Sequence, residues 1–202
     1  MIKSERTATI THIIACEVFR AALDYLKLED RYLDLRVTYL PGRLHLKPAE
    51  LRERFLREVK KARRRGDRTI CLYGDCFPGI EDFCNQHGIM KVPGFSCHEM
   101  FLGSERFKKL IDEVTGTYFL EEGLITNFEH YCIEPLELED EEMRRQCFQH
   151  YKRLLYVRQP SDPDLLSKAN ELAQFLGLSL EVDDANYSLL EEELIKLLQY
   201  TL

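Results

Sequence analysis

Thr69-Ile70-Cys71-Leu72-Tyr73-Gly74-Asp75-Cys76-Phe77-Pro78-Gly79 is the stretch that decides how this chain folds. Its first five residues are apolar or β-branched and read as a buried strand. Gly74, Pro78 and Gly79 break that strand within one short loop. Helical spacing resumes at Ile80 and runs to His87, where Gly88 ends it. A strand that passes through a glycine-containing turn straight into a helix is half of a strand–helix–strand unit, and repeated units of that kind build a parallel sheet.

Reading outward, the same grammar recurs on both sides. Residues 8–15 form a β-branched run ending at Cys16, followed by helical spacing at Val18, Phe19, Ala22, Leu23 and Leu26. A second strand over 33–40 stops at Pro41-Gly42. Pro48 then opens an amphipathic helix over 49–65, and Gly66 closes it, with proline at the first turn and glycine past the end. Downstream lie a short strand at 89–92, two helical pieces around Gly103-Ser104 with Ser104 as an N-cap, and a strand at 117–120. The acidic stretch 136–145 starts a polar helix towards Tyr151. Strands at 154–157 and 178–182, a helix from Asp162-Pro163 to Gly177 and a final helix over 188–198 complete the chain. The alternation predicts an α/β fold, a Rossmann-like three-layer sandwich around a mostly parallel sheet. It is read as a single domain over 1–202, with 152–202 either part of the sheet or a small second βαβα lobe.

Composition bounds the function. The chain has 202 residues, 45% hydrophobic and 31% charged, which suits a globular domain with a sizeable core. No apolar run approaches the roughly 18 residues of a membrane span. The start Met1-Ile2-Lys3-Ser4-Glu5-Arg6 carries no export signal, so a cytoplasmic location is expected. A net charge of −7 argues against nucleic acid as the principal partner. The basic run Lys60-Lys61-Ala62-Arg63-Arg64-Arg65 falls at a helix end, where cations complement the dipole and stay solvated. The seven cysteines are odd in number and lack an export signal, so reduced thiols are expected rather than a disulfide framework.

Four residues stand out for chemistry: Cys16, His45, Cys76 and Cys97. Each follows an expected strand, and parallel strands present their carboxyl ends on one edge, where ligands bind. Thiolate and imidazole together suit zinc, iron or an iron–sulfur cluster. Cys76, in its glycine-rich turn near a helix start, is expected to have a lowered pKa. Taken singly, each cysteine also reads as a small buried residue. That is the reading for Cys71 within a strand and for Cys84 and Cys147 within helices, while Cys132, beside His130 and Glu129, lies between the two. His98 and Glu99 are helix-start residues next to Cys97. Dinucleotide (GxGxxG), phosphate-loop, HExxH and GxSxG motifs are absent from the sequence.

The segments Ile14-Ala15-Cys16-Glu17, Tyr39-Leu40-Pro41-Gly42-Arg43-Leu44-His45-Leu46-Lys47-Pro48, Tyr73-Gly74-Asp75-Cys76, Cys97 with Leu102-Gly103-Ser104, and Gly116-Thr117-Tyr118-Phe119-Leu120 resemble the domain of unknown function 1638 family of anaerobic archaea and bacteria. The chain departs from that pattern at Phe77-Pro78-Gly79, where the family usually has Gly-Asn-Gly, and at Phe95-Ser96, where it usually has His-Asp. The resemblance implies one site formed by Cys16, His45, Cys76 and Cys97. It also implies a setting in anaerobic one-carbon metabolism, beside corrinoid-dependent methyltransferase systems.

Three readings follow. The first is a metalloprotein with a metal or iron–sulfur centre on Cys16, Cys76 and Cys97, and His45 as fourth ligand or neighbour. The expected cofactor is an iron–sulfur cluster, with zinc as the alternative; three thiolates on a 4Fe–4S cubane leave one iron open. The second is a non-metal accessory or binding protein for a corrinoid protein, a methyltransferase or a small organic ligand at the strand edge. The third is a thiol enzyme with Cys76 as nucleophile. Whether the chain is an enzyme stays open at this stage.

Overall fold

The structure, a computed structural model, describes residues 10–200. The expected leader-free start and the first two residues of the first strand, Ala8 and Thr9, lie outside the described residues. The chain divides into two compact units, Met1–Phe95 with Glu192–Leu202, and Ser96–Glu191.

The first unit is built on β1 (Thr11–Cys16), which passes through a 3-10 turn (Glu17–Phe19) into α1 (Arg20–Tyr25) and α2 (Leu28–Arg31). β2 (Leu35–Leu40), a 3-10 helix (Gly42–Leu46) and α3 (Pro48–Arg65) follow, then β3 (Arg68–Leu72), α4 (Ile80–Gln86) and β4 (Met90–Lys91). The four strands are parallel in the order β2-β1-β3-β4. β1 is central, and Ile13, Ile14 and Ala15 are fully buried, as a strand covered on both faces requires. From β1 the chain steps to one side for β2 and back past β1 for β3. Right-handed crossovers in opposite directions place their helices on opposite faces of the sheet.

α3 forms because its apolar residues recur at helical spacing: Leu51, Phe55, Val59 and Ala62 are buried while Arg52 and Arg57 between them are exposed. Gly66 closes it at φ 78°, and its N–H and that of Asp67 cap the last carbonyls. The buried stripe packs with Ile14, Leu40, Cys71, Tyr73, Phe77, Ile80, Phe83 and Cys84 into one core layer. Phe55 is its hub, edge-on to Tyr73 at 5.8 Å and to Phe83 at 5.9 Å.

The second unit opens with α5 (Cys97–Leu102) and α6 (Ser104–Glu113) and carries its own sheet. Ser104 is the first residue of α6 and Gly103 its N-cap, a one-residue correction to the expected cap. β5 (Thr117–Leu120) is followed by α7 (Glu122–Thr126), a π-helical turn (Glu129–Ile133) and α8 (Glu141–Phe148). β6 (Arg153–Arg158), α9 (Leu166–Leu176), β7 (Ser179–Asp184) and α10 (Ser188–Gln199) complete the chain. The strands are parallel in the order β5-β6-β7. β6 and β7 therefore share a sheet with β5, and the break between sheets falls before β5 rather than near residue 152. The two parallel sheets with flanking helices are the expected Rossmann-like α/β architecture.

The amino ends of both sheets are closed by buried polar groups. His12 bonds Thr38 Oγ1 through Nε2 at 2.8 Å and accepts from Arg65 through Nδ1 at 3.1 Å, which fixes it as a neutral ring with its proton on Nε2. Burial first, then the Arg65 charge, lowers its pKa to about 4. In the second sheet Arg153, 4% exposed, donates to Thr117 Oγ1 at 2.8 Å, to the Leu110 carbonyl at 2.7 Å and to Glu181.

Gly116, just before β5, has φ 96°, and a Cβ there would lie 2.3 Å from the His150 carbonyl oxygen. Gly66 has φ 78° but open space around it. Gly116→Ala should therefore destabilise the fold by about 3 kcal/mol or more, whereas Gly66→Ala should cost only the left-handed backbone term of about 1–2 kcal/mol. Urea unfolding of the two variants beside the parent chain measures the difference.

Candidate functional site

The change in strand direction from β2-β1 to β1-β3 makes the carboxyl ends of β1 and β3 a topological switch point, the usual ligand position in such sheets. Cys16 is the last residue of β1. The register pairs Ala15 with Leu72, so one step further Cys16 lies level with Tyr73, and aligned residues on parallel neighbours project to the same face. Cys16 and Cys76 both pack, partly buried, against the core layer that contains Tyr73. Tyr73 itself is 1% exposed, and among the described residues its hydroxyl has no hydrogen-bond partner. Burial first, then the neighbouring Cys16 and Cys76 thiols, pushes the Tyr73 pKa far above that of an ordinary phenol. This hydroxyl is a donor at neutral pH.

The loop between β3 and α4 positions Cys76. Asp75 N–H donates to the Phe95 carbonyl at 2.7 Å, and Cys76 N–H to the Gly74 carbonyl at 2.8 Å. Lys91 lies beneath with its side chain 9% exposed; its ammonium donates to the Gly94 carbonyl at 2.8 Å and sits 3.5 Å from Asp75. The Cys76 pKa is raised, by burial first and by Asp75 second, with a smaller opposing effect of Lys91. This corrects the expected lowered value. α4 begins only at Ile80, behind Gly79 as its N-cap, so Cys76 is not at the helix terminus that would favour its thiolate.

The other expected site residues fall in different places. His45 is exposed on the 3-10 helix after β2, the strand beside β1. Its Nδ1 donates to the Gly42 carbonyl at 3.1 Å, leaving the Nε2 lone pair of the neutral ring for a ligand. Cys97 is the first residue of α5 in the second unit, where the Ser96 hydroxyl caps the helix by accepting from Glu99 N–H at 3.1 Å. Cys97 Sγ lies 3.8 Å from His98 Nδ1. Cys16 and Cys76 thus meet around Tyr73 within the first unit. Among the described residues no group of three or more His, Cys, Asp or Glu side chains is arranged to hold a metal ion. All seven cysteines are thiols. Cys71 and Cys84 are buried in the same core layer, with the Cys84 pKa lowered by a hydrogen bond from Cys71. Cys132 is buried 3.6 Å from the Tyr118 hydroxyl, and Cys147 is half-buried in α8.

Sequence reading passed over Tyr73 and Glu121. Tyr73 looked like one more apolar strand residue, yet it precedes Gly74 at a strand end, where a hydroxyl has chemical use. Glu121 directly follows β5 and caps α7, its carboxylate accepting from Gly123 N–H at 2.6 Å and Leu124 N–H at 2.7 Å. Nearby Asp162 accepts from the Tyr156 hydroxyl at 2.7 Å and Gln159 N–H at 2.9 Å. Burial raises Glu121 to about 7, against the two backbone hydrogen bonds that favour its charge. The position after a strand was the available signal for both residues.

No helix among the described residues is long and apolar enough to cross a membrane. The profile of one family, the proteins of unknown function designated DUF1638, matches residues 39–194. The match takes in His45, Tyr73, Cys76 and Cys97 and begins after Cys16. No curated protein and no solved structure matches the chain.

Glu121 makes a pH test possible. Its folded-state pKa, about 7, lies above the 4.5 of the unfolded chain, so the fold holds the proton more tightly. The stability it contributes is complete below pH 4.5 and is lost as pH rises through 7, by about 3 kcal/mol in all. Glu121→Gln should remove that decline, seen as a flatter stability profile in urea titrations between pH 4.5 and 8.

Proposed function

We propose that this chain, which belongs to the DUF1638 family, binds a thiolate-held metal centre at the β1–β3 switch point, with Cys16 and Cys76 as its ligands there. The reading rests on one observation: two cysteines pack at a strand switch point against the layer of a buried hydroxyl that has no acceptor among the described residues. Sulfur donors select soft or borderline metals, and the expected centre is an iron–sulfur cluster, with zinc as the alternative. Cys97 as third thiolate and His45 as fourth ligand or neighbour are carried by the sequence pattern and the family resemblance. A role beside corrinoid-dependent methyl transfer in anaerobic one-carbon metabolism is carried by that resemblance alone.

Within the first unit the described residues bring Cys16 and Cys76 to this layer and no third ligand beside them. Thiolates brought near each other repel, and a half-buried site disfavours their charge unless a cation offsets it. Lys91, almost buried below the loop, supplies one fixed positive charge, and its field already acts to lower the Cys76 pKa. A bound metal would supply the remainder and, if it keeps an open position, Lewis-acid or electron-transfer chemistry.

One observation favours a second reading. Burial and Asp75 hold the Cys76 thiol protonated in the free protein, which suits a small organic ligand at the same switch point. Metal and acid-labile sulfide analysis of anaerobically purified protein separates the two. The metal reading expects stoichiometric iron with sulfide, or zinc. Cys16→Ala, Cys76→Ala and Cys97→Ala should each abolish it, while Cys147→Ala should leave it unchanged. Protein that carries neither metal nor sulfide and resists reconstitution would rule the metal centre out.

A further inference from the structure

Cys71 and Cys84 are thiols that the candidate site does not use, and the fold holds them against each other. Cys71 lies in β3 and Cys84 in α4, and both belong to the same core layer. Backbone bonds fix their approach. Ile89 N–H donates to the Cys84 carbonyl at 2.9 Å, and the next two residues form β4, pairing Met90 with Ile70 and Lys91 with Cys71. The end of α4 is thereby tied to the strand that carries Cys71, and the two thiols hydrogen-bond to each other. Cys71 is the donor, so the bond lowers the pKa of Cys84, while burial first and this bond second raise that of Cys71. Lys91, its side chain 9% exposed, acts to lower both. Two apolar fillers need neither a mutual hydrogen bond nor a cation. A thiol that donates to a neighbouring sulfur beside a fixed positive charge favours one thiolate, and the thiolate is the form that reacts.

We propose that Cys71 and Cys84 are a redox pair that closes reversibly to a disulfide between β3 and α4, with Cys84 as the attacking sulfur and a small hydroperoxide as the oxidant. The Cys84 thiolate attacks the terminal oxygen of the hydroperoxide and the O–O bond breaks, leaving Cys84 as a sulfenic acid. The departing alkoxide (hydroxide, from hydrogen peroxide) takes the proton that Cys84 had given up to water. The Cys71 sulfur then attacks the Cys84 sulfur, the S–O bond breaks, and hydroxide leaves with the Cys71 proton as water. In sum two thiols are oxidised to one disulfide and the hydroperoxide is reduced to alcohol and water. The oxidant must be small, because Cys71 is fully buried and Cys84 is 1% exposed. Its entry waits on local opening of α4, a helix of seven residues. The closed disulfide encloses the loop that carries Cys76 in a covalent ring and ties α4 to the sheet. Neither thiol is a ligand in the metal reading, so the pair stands apart from it.

The test treats the full chain, reduced and metal-free, with hydrogen peroxide, blocks the remaining thiols with N-ethylmaleimide and maps disulfides by peptide mass spectrometry. The expected product is a peptide pair joined through Cys71 and Cys84 and lost on reduction with dithiothreitol. In Cys71→Ala the sulfenic acid has no thiol to resolve it, so dimedone should label Cys84. In Cys84→Ala, Cys71 should stay a thiol. Peroxide that oxidises Cys16, Cys76 or Cys147 in the parent chain and leaves Cys71 and Cys84 as thiols overturns the inference. A disulfide from either of the two to Cys76, in place of the Cys71–Cys84 link, overturns it as well. Dimedone labelling of Cys71 in Cys84→Ala overturns the assignment of Cys84 as the attacking sulfur.

Discussion

β1 is hydrogen-bonded along its length on both sides, to β2 from Thr11–Leu35 through Cys16–Leu40 and to β3 from Thr11–Arg68 through Ala15–Leu72. A parallel strand paired on both edges has no free backbone groups and must bury both faces, which Ile13, Ile14 and Ala15 do completely. Once β1 is central, right-handed crossovers force the helices of the β1–β2 and β2–β3 connections onto opposite faces. The connections beyond Cys16 and Tyr73 then leave in opposite directions, the switch point where sheets of this kind bind ligands. The position of the candidate site is thus a consequence of one strand's pairing.

The two ends of each sheet handle buried polarity differently. At the amino ends, His12 with Thr38 and Arg65, and Arg153 with Thr117, Leu110 and Glu181, form networks in which donors meet acceptors. Such closed networks hold an element in place and leave nothing to offer a ligand. At the carboxyl ends, Tyr73 has a hydroxyl without a partner among the described residues, and Glu121 is pushed up to about 7 by burial. Groups that the fold leaves in an unfavourable state lie on the edge where parallel sheets bind.

Four of the seven cysteines, Cys16, Cys71, Cys76 and Cys84, contribute to one core layer of the first unit. Their exposure divides their roles. Cys71 and Cys84 are sealed between the sheet, α3 and α4. Cys16 and Cys76 are partly open, and the Lys91 charge acts on Cys76. Burial rather than helix polarity sets the state of Cys76, since the loop places three residues between it and the first residue of α4.

The sequence by itself determined the elements. β-branched runs such as Ile13-Ile14 and Thr69-Ile70, the helical spacing of Leu51, Phe55 and Val59, and the Pro48 and Gly66 stops are local signals, because backbone sterics and side-chain periodicity act over a few residues. The same local rules put Cys16, His45, Cys76 and Cys97 after strands. The irregular stretch 121–135, with its π-helical turn, had no such periodicity and stayed unread. Tertiary structure alone decided that β5, β6 and β7 form a sheet of their own, since strand pairing joins residues far apart in sequence and many registers satisfy the same alternation. It also decided that the Tyr73 hydroxyl would find no acceptor among the described residues, that Cys76 would be held as a thiol, and that Lys91 would lie against Asp75 and Gly94. Desolvation and Coulomb forces depend on what surrounds a group in space, and no spacing along the chain records them.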